Sequence, residues 1–319
     1  MTYPQHTFEL RISFSEKHPH AKSLKNQVME WLPAHGIDEF VEGVMDGLDI
    51  DNEYTGPSQR DFYQELGGDI LPVSVYKYSR ELLEDLLNQL TKKFGDSIQV
   101  KIHSMETKEW LEGWKESFKP IETDSFYIYP PWDESNRPKN KISIVVEPGM
   151  AFGTGQHATT QVCLRRLEKL APKKVELSNW KFCDVGTGTG ILALAAHRLG
   201  FRSVVGTDID PDAITAAKQN AELNQIKLPL WQGSAPVNGV EGITSFMPPF
   251  DVVVANILFV VLSKIIGDLS KVTKPGGILI LSGVLTEDGD EMIHLAKDCG
   301  MKLLDRSDLE GWACITLTK

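Results

Sequence analysis

The residues of this 319-residue chain whose types and spacing can do chemistry centre on Asp184-Val-Gly-Thr-Gly-Thr-Gly190. The segment lies within Phe182–Ala196, which reads as a strand, a glycine turn and an alanine-rich helix. Glycine in such a turn lets the backbone approach a ligand closely and adopt conformations that other residues resist. In a doubly wound sheet, ligands bind in the crevice at the carboxyl ends of the strands. Three glycines alone carry little information; the strand before and the helix after make them specific. Asp208 follows Gly186 by twenty-two residues and ends the next strand, Val-Val-Gly-Thr-Asp-Ile-Asp. A carboxylate at that place accepts hydrogen bonds from both ribose hydroxyls of an adenosine cofactor. The competing role, capping a helix expected at 211–224, suits Asp210 better, because Pro211 takes the first helical position.

Two more clusters belong with these. Asp251-Val-Val-Val-Ala-Asn-Ile-Leu-Phe259 puts Asn256 where a fourth strand meets its helix, a position open to ligand contact or to an ordinary turn. Glu147-Pro-Gly-Met-Ala-Phe-Gly-Thr-Gly-Gln-His-Ala-Thr-Thr160 holds three glycines ahead of a helix, with Phe152, His157 and Thr160 among them. Residue chemistry leaves three roles open for it: a lid over a ligand, an anion-binding helix start or a plain connection.

The elements that must position these groups divide the chain in two. From residue 158, strands alternate with helices. Strands are expected at Lys181–Val185, Ser203–Asp208, Lys227–Trp231, Asp251–Ala255, Gly277–Ser282, Lys302–Asp305 and Ala313–Leu317. Helices are expected at about 158–170, 190–199, 211–224, 258–272 and 287–298. This alternation predicts a mostly parallel sheet covered on both faces. Ahead of it, strands at 7–13, 37–45, 70–78 and 97–103 and helices at 20–32 and 80–94 give the order β-α-β-β-α-β, the ferredoxin-like arrangement. Trp110, Trp114 and Phe118 recur every four residues and predict a linker helix over 104–120 with an aromatic face; Pro120 ends it. Short strands at 126–129 and 142–146 flank a polar loop at 133–140. The expected organisation is therefore a ferredoxin-like domain at 1–103, a linker helix at 104–120 and an α/β domain at 121–319.

Composition narrows the partners. The formal net charge is −11, and residues 1–100 hold nine Lys and Arg against seventeen Asp and Glu, a balance of −8. Nucleic-acid phosphates call for a basic surface, so no direct nucleic-acid binding is expected. A basic protein partner is compatible with this charge. Tyr76 and Tyr78 share a strand face, as in sheets that stack RNA bases, but without basic neighbours packing is the expected role. No stretch approaches the roughly 18–20 apolar residues of a membrane helix. The four cysteines (Cys163, Cys183, Cys299 and Cys314) form no CxxC pair, so no metal site is expected. With no signal peptide in evidence, a reducing cytoplasm is the expected location.

The glycine spacing separates two cofactors. The dinucleotide fingerprint needs G-x-G-x-x-G, and here Ile191 occupies the place of its third glycine. The form Asp-x-Gly-x-Gly-x-Gly followed by an acid-ended strand resembles the seven-stranded class I methyltransferases, which implies S-adenosylmethionine as cofactor and a Rossmann-like sheet ending in an antiparallel hairpin. Related amino-methyltransferases carry (N/D)-P-P-(Y/F) where this chain has Asn256, Ile257 and Leu258. That departure argues against a planar amide or adenine nitrogen as target and fits a tetrahedral amine.

Taken with Glu147–Thr160, Asp208-Ile-Asp210, Val254–Ile257, Trp110, Trp114, Phe118, Pro120 and Pro131-Trp132, the chain resembles the ribosomal protein L11 methyltransferase family (PrmA) over about residues 104–319. The resemblance implies N-methylation of lysine side chains and the N-terminal amine of that large-subunit stalk-base protein. It also implies substrate recognition by the N-terminal domain. By motif position it implies cofactor contacts from Thr160, Gly186, Gly188, Asp208 and Asn256, with Phe152 and His157 lining the site. Asn256 is the candidate for positioning the substrate amine. The alternatives are a methyltransferase acting on another protein, RNA or a small molecule, a nicotinamide oxidoreductase, which the glycine spacing opposes, and a non-catalytic ribosome-binding module.

Overall fold

The computed structural model describes residues 5–15, 20–35, 37, 40–42, 72–77, 79–106, 120–147, 157–170, 177–201, 203–235 and 248–319. The chain forms two compact units, Met1–Phe118 and Lys119–Lys319.

The first unit contains β1 (His6–Phe14), α1 (Ala21–Ala34), β2 (Val41–Glu42), β3 (Val73–Lys77), α2 (Arg80–Phe94) and β4 (Ile98–Glu106). Its antiparallel sheet has the order β2-β3-β1-β4, as the ferredoxin-like reading requires. Alternation along β1 buries Leu10, Ile12 and Phe14 against Leu24, Val28 and Leu32 of α1 and Leu83, Leu86 and Leu90 of α2. The Ser79 hydroxyl accepts the Leu82 N–H at the start of α2, the residue type favoured there because it serves an orphaned donor. Full burial of each such leucine or isoleucine stabilises by about 1.5–3 kcal/mol. Tyr76 is buried, in keeping with a packing role. Tyr78, Trp110, Trp114, Phe118 and the stretch 46–70 lie outside the described residues.

β4 corrects one boundary. It runs to Glu106, so residues 104–106 are strand where the linker helix was expected to begin. The cause is β1, which starts at His6 and offers partners to Ser104, Met105 and Glu106 through the register Phe8↔Ser104, Thr7↔Met105 and His6↔Glu106.

The second unit opens with a small sheet, β5 (Ile121–Glu122), β6 (Phe126–Tyr129) and β7 (Ile142–Val145), in that order. Between β6 and β7, Pro131–Asn136 form two short 3-10 turns separated by a kink at Asp133. The polar loop expected at 133–140 is thus partly helical, because Pro131 presets the first helical position. There follow α3 (Ala158–Glu168), β8 (Lys181–Val185), α4 (Ile191–Leu199), β9 (Ser203–Asp208), α5 (Pro211–Leu223), β10 (Leu230–Gln232), β11 (Phe250–Asn256), α6 (Phe259–Val272), β12 (Thr273–Leu285), α7 (Gly289–Asp298), β13 (Lys302–Leu309) and β14 (Trp312–Thr318). The seven-stranded order is β10-β9-β8-β11-β12-β14-β13. β14 pairs antiparallel with both neighbours, and the other pairings are parallel.

β8 and β11 lie at the centre, so they read as nearly continuous apolar runs, as strands covered on both faces must. Phe182, Cys183, Val252, Val253, Val254 and Ala255 have no exposure. β10 starts at Leu230, three residues later than expected, where pairing with Gly206 of β9 becomes available. The strand order reverses between β8 and β11, which leaves a crevice at their carboxyl ends.

Candidate active site

Four elements meet at that crevice: the turn after β8, the end of β9, the end of β11 and the start of α3. Asp184 anchors the glycine turn from below. Its Oδ2 accepts the Thr187 hydroxyl at 2.7 Å and the Ala193 N–H at 3.1 Å, which ties β8 to the first turn of α4. Asp184 is 1% exposed, and its Oδ1 has no hydrogen-bond partner. Burial pushes its carboxyl up to about 7 against the downward pull of those two donors. The Gly186 and Thr187 N–H groups both donate to the Thr207 carbonyl, at 2.8 and 2.9 Å. The turn is thereby sewn to β9 one residue before Asp208.

Asp208 stands over the turn. The Gly188 N–H donates to its Oδ2 at 2.9 Å and the Asp210 N–H to its Oδ1 at 3.0 Å. Each oxygen keeps further acceptor capacity. Burial raises the Asp208 carboxyl, and these N–H groups partly offset the rise. Capping falls to Asp210, whose Oδ1 accepts the Asp212 N–H at 2.8 Å. Asp208 is therefore free of that duty, and its half-buried carboxylate faces the glycine turn, suited to adjacent ribose hydroxyls.

Asn256 ends β11. Its Nδ2 donates to Thr160 Oγ1 at 3.3 Å, while Oδ1 is buried without a partner. The next residue is fixed through its backbone: the Ile257 N–H donates to the Ser282 carbonyl at 3.1 Å. Gly283, at φ +82°, passes so close that an added Cβ would stand 2.3 Å from the Ile257 carbonyl oxygen. Only glycine fits there. The Asn256–Ile257 turn thus cannot shift outward without displacing β12.

His157 caps α3, its ring nitrogen taking the Thr159 N–H at 3.4 Å, and Nδ1 lies 2.8 Å from Thr159 Oγ1. Trp312 meets the imidazole edge-on, with centroids 4.9 Å apart. Burial lowers the His157 pKa, opposed by Glu310, which favours a neutral ring at pH 7. The fold thus brings Thr160 to Asn256 and Gly188 to Asp208. Phe152 lies outside the described residues.

Sequence reasoning missed the buried groups behind the site. Ser282 bonds the Thr159 and Ala313 carbonyls at 3.4 Å. Arg166 pairs with Asp305 and donates to Ser307 Oγ at 3.0 Å, pinning α3 to β13. Asn220 on α5 accepts the Glu147 N–H just past β7, and Asn224 at the C-terminal cap of α5 accepts the Val145 N–H at the end of β7. In sequence, an asparagine pair spaced four apart on a helix is the one trace of that last arrangement.

A family model described as ribosomal protein L11 methyltransferase (PrmA) matches residues 26–319. A ribosomal protein L11 methyltransferase of Geobacter metallireducens is 34% identical over 298 residues, covering 89% of this chain and 94% of the relative. That of Geobacter sulfurreducens is 35% identical over 289 residues, covering 87% and 91%. The crystal structure of a ribosomal protein L11 methylase from Lactobacillus delbrueckii subsp. bulgaricus aligns with a TM-score of 0.56 at 30% identity, over 63% of this chain and 99% of that one.

Proposed function

The chain belongs to the ribosomal protein L11 methyltransferase (PrmA) family, and from that premise we propose that it moves methyl groups from S-adenosylmethionine to amines of ribosomal protein L11. The acceptors are lysine side chains and the N-terminal α-amine. The observation that carries the reading is the meeting of the Asp208–Gly188 contact with the Asn256–Thr160 pair at one sheet edge. The acidic N-terminal unit is suited to a basic ribosomal protein, and the cytoplasm is the compartment where that substrate is made.

The residues fit the cofactor. Asp208 offers two acceptor oxygens to the ribose, and the glycine turn offers backbone with no Cβ in the way. When bound, S-adenosylmethionine supplies an electrophilic methyl group. The protein's work is then mainly to align that carbon with the amine. Asn256 Oδ1, buried and unpartnered, is suited to accept an N–H from the incoming amine and so aim its lone pair. A lysine ammonium, with a solution pKa near ~10.4, must lose its proton first. A buried approach to Asn256 lowers that pKa by penalising the charged form, and water takes the proton. Asp184 is no base for this step, since its carboxyl is buried beneath the turn, with one oxygen committed to the Thr187 hydroxyl and the Ala193 N–H.

Mass spectrometry of ribosomal protein L11 before and after incubation with enzyme and S-adenosylmethionine tests the proposal. Added mass in steps of one methylene on tryptic peptides bearing lysine or the N-terminus is the expected result. An unchanged protein beside methylated total RNA would overturn the substrate.

A further inference from the structure

The 3-10 turns after β6 lead into Arg137-Pro138-Lys139-Asn140-Lys141, which sets three cations within five residues of a chain whose net charge is −11. Arg137 has an extended backbone, φ −63° and ψ 118°, the conformation that a following proline imposes. Arg137, Pro138 and Lys139 join Ile142 and Ser143 of β7 and Arg198 of α4 in lining a cleft of about 410 Å³. That size is ordinary for a small-molecule site. Lys141 also belongs to the wall, but its charge is spent: its Nζ pairs with Glu122 at 2.8 Å and donates to the Thr123 carbonyl. Arg137 and Lys139 are exposed and have no ion-pair or hydrogen-bond partner among the described residues. Arg198 gives one N–H to the Asn224 carbonyl at 3.0 Å, where α5 ends. That bond fixes the guanidinium and leaves its other N–H groups uncommitted. α4 starts at the glycine turn and runs away from it, so at ~1.5 Å per residue Arg198 stands roughly 12 Å from Gly190. The cleft therefore belongs to the other edge of the sheet, and methyl transfer as described does not use it.

We propose that this cleft binds the phosphate of a nucleotide, free or within an RNA chain. Two guanidinium groups and an ammonium surround one space, and a guanidinium matches phosphate oxygens with two parallel N–H···O bonds. A phosphate presents several charged oxygens to these three cations, where a carboxylate presents a single charge. The Ser143 hydroxyl adds a neutral donor. Pro138 and Ile142 supply an apolar wall on which a sugar or base can lie, so the cleft suits a phosphate ester over a bare ion. The acidity of the whole chain does not oppose this. Exposed charges more than about 8–10 Å away are largely screened at physiological ionic strength, and the Glu122 carboxylate is held by Lys141. Net charge argues against a broad grip on nucleic acid and leaves a local site of this kind open.

The test uses the full-length protein with S-adenosylmethionine in excess and pyrimidine probes, so that the probes do not compete for an adenosine site. Inorganic phosphate and uridine 5′-monophosphate are titrated by calorimetry, and a fluorescently labelled single-stranded oligouridylate by anisotropy, all at one low ionic strength. Wild type is compared with Arg137→Glu/Lys139→Glu and with Lys297→Glu/Lys302→Glu, which makes a like charge change at two exposed residues of α7 and β13. The wild type should bind a uridine probe more tightly than inorganic phosphate. Arg137→Glu/Lys139→Glu should lower that affinity at least about tenfold, the scale of one lost charge-assisted contact, while the control variant stays within about twofold. An oligomer bound more tightly than the mononucleotide assigns the site to RNA, and equal affinities assign it to the free nucleotide; either result supports the site. The proposal is overturned if neither uridine probe binds the wild type, if inorganic phosphate binds as tightly as both, or if the two double variants weaken binding equally, which would reduce the attraction to overall charge.

Discussion

Gly186 sets its bare α-carbon against Ile257: a Cβ added there would stand 2.3 Å from Ile257 Cγ2. The contact joins the turn after β8 to the turn after β11, the two backbones that flank the crevice. Gly186 also has φ +72°, a conformation costing other residues roughly 1–2 kcal/mol. Ile257 occupies the place where related amino-methyltransferases carry proline, so here an isoleucine methyl sets the spacing of the two turns.

Gly186→Ala should therefore lower stability by about 2–3 kcal/mol through backbone strain and overlap. Ile257→Ala removes the overlapping methyl but not the strain. The double variant should be more stable than the sum of the two single losses allows, by roughly 1 kcal/mol. Thermal denaturation of the three variants checks this. Strict additivity would mean that the contact is relieved elsewhere.

Asn256→Ala should cut methyl transfer on the order of a hundredfold, the scale of a misplaced reacting group. Asn256→Asp keeps an acceptor oxygen, and the Thr160 hydroxyl can reverse its role to donate to it. That variant should retain more activity than alanine. Steady-state kinetics at saturating cofactor decide the matter, and equal activity in both variants would remove Asn256 Oδ1 from amine positioning.

Asp184 makes stability depend on pH. Folded, it holds its proton to about pH 7, whereas its ordinary value is 3.8. Between those values the native state binds more protons than the unfolded chain. The contribution of this group therefore falls as pH rises from about 4 to about 7. Asp184→Asn is neutral, and its carbonyl still accepts the Ala193 N–H. Its stability relative to wild type should rise across the same window, as read by urea denaturation at pH 5 and pH 8. A difference that stays constant between those pH values would show that Asp184 is already ionised in the native protein.

Much of the site was legible because its signals are local. The turn from β8 into α4 announces itself within nine residues, and Asp210 and Pro211 mark the cap of α5 within two, which leaves Asp208 to the glycine turn. β8 and β9 have their expected boundaries. What escaped depends on partners far apart in the chain. Asn220 reaches Glu147 across 73 residues, and Ser282 reaches Thr159 across 123, so no window around either residue shows its role. β12 runs past its expected end to Leu285 because β14 turns back beside it, pairing Val284 with Ala313 and Leu285 with Trp312. Of segment 147–160, Glu147 and the residues from His157 onward are described, and residues 148–156 lie outside the described residues.

Asp208→Asn should separate recognition of the ribose from recognition of charge. The substitution keeps the shape of the side chain, and its one carbonyl oxygen can still accept the Gly188 N–H. It removes the second acceptor and the negative charge, so hydrogen bonds from ribose hydroxyls weaken from charged to neutral strength, a loss of about 1.5–3 kcal/mol or roughly ten- to a hundredfold in affinity. S-adenosylmethionine and its demethylated product carry the same ribose but differ by the sulfonium charge. Their affinities should fall by the same factor, measured by calorimetry at pH 8. At lower pH the wild type should lose affinity for both, because burial raises the Asp208 carboxyl and protonation removes the same acceptors, while the asparagine variant should not respond. A loss confined to S-adenosylmethionine would mean that Asp208 acts on the sulfonium through its field, not on the ribose through contact.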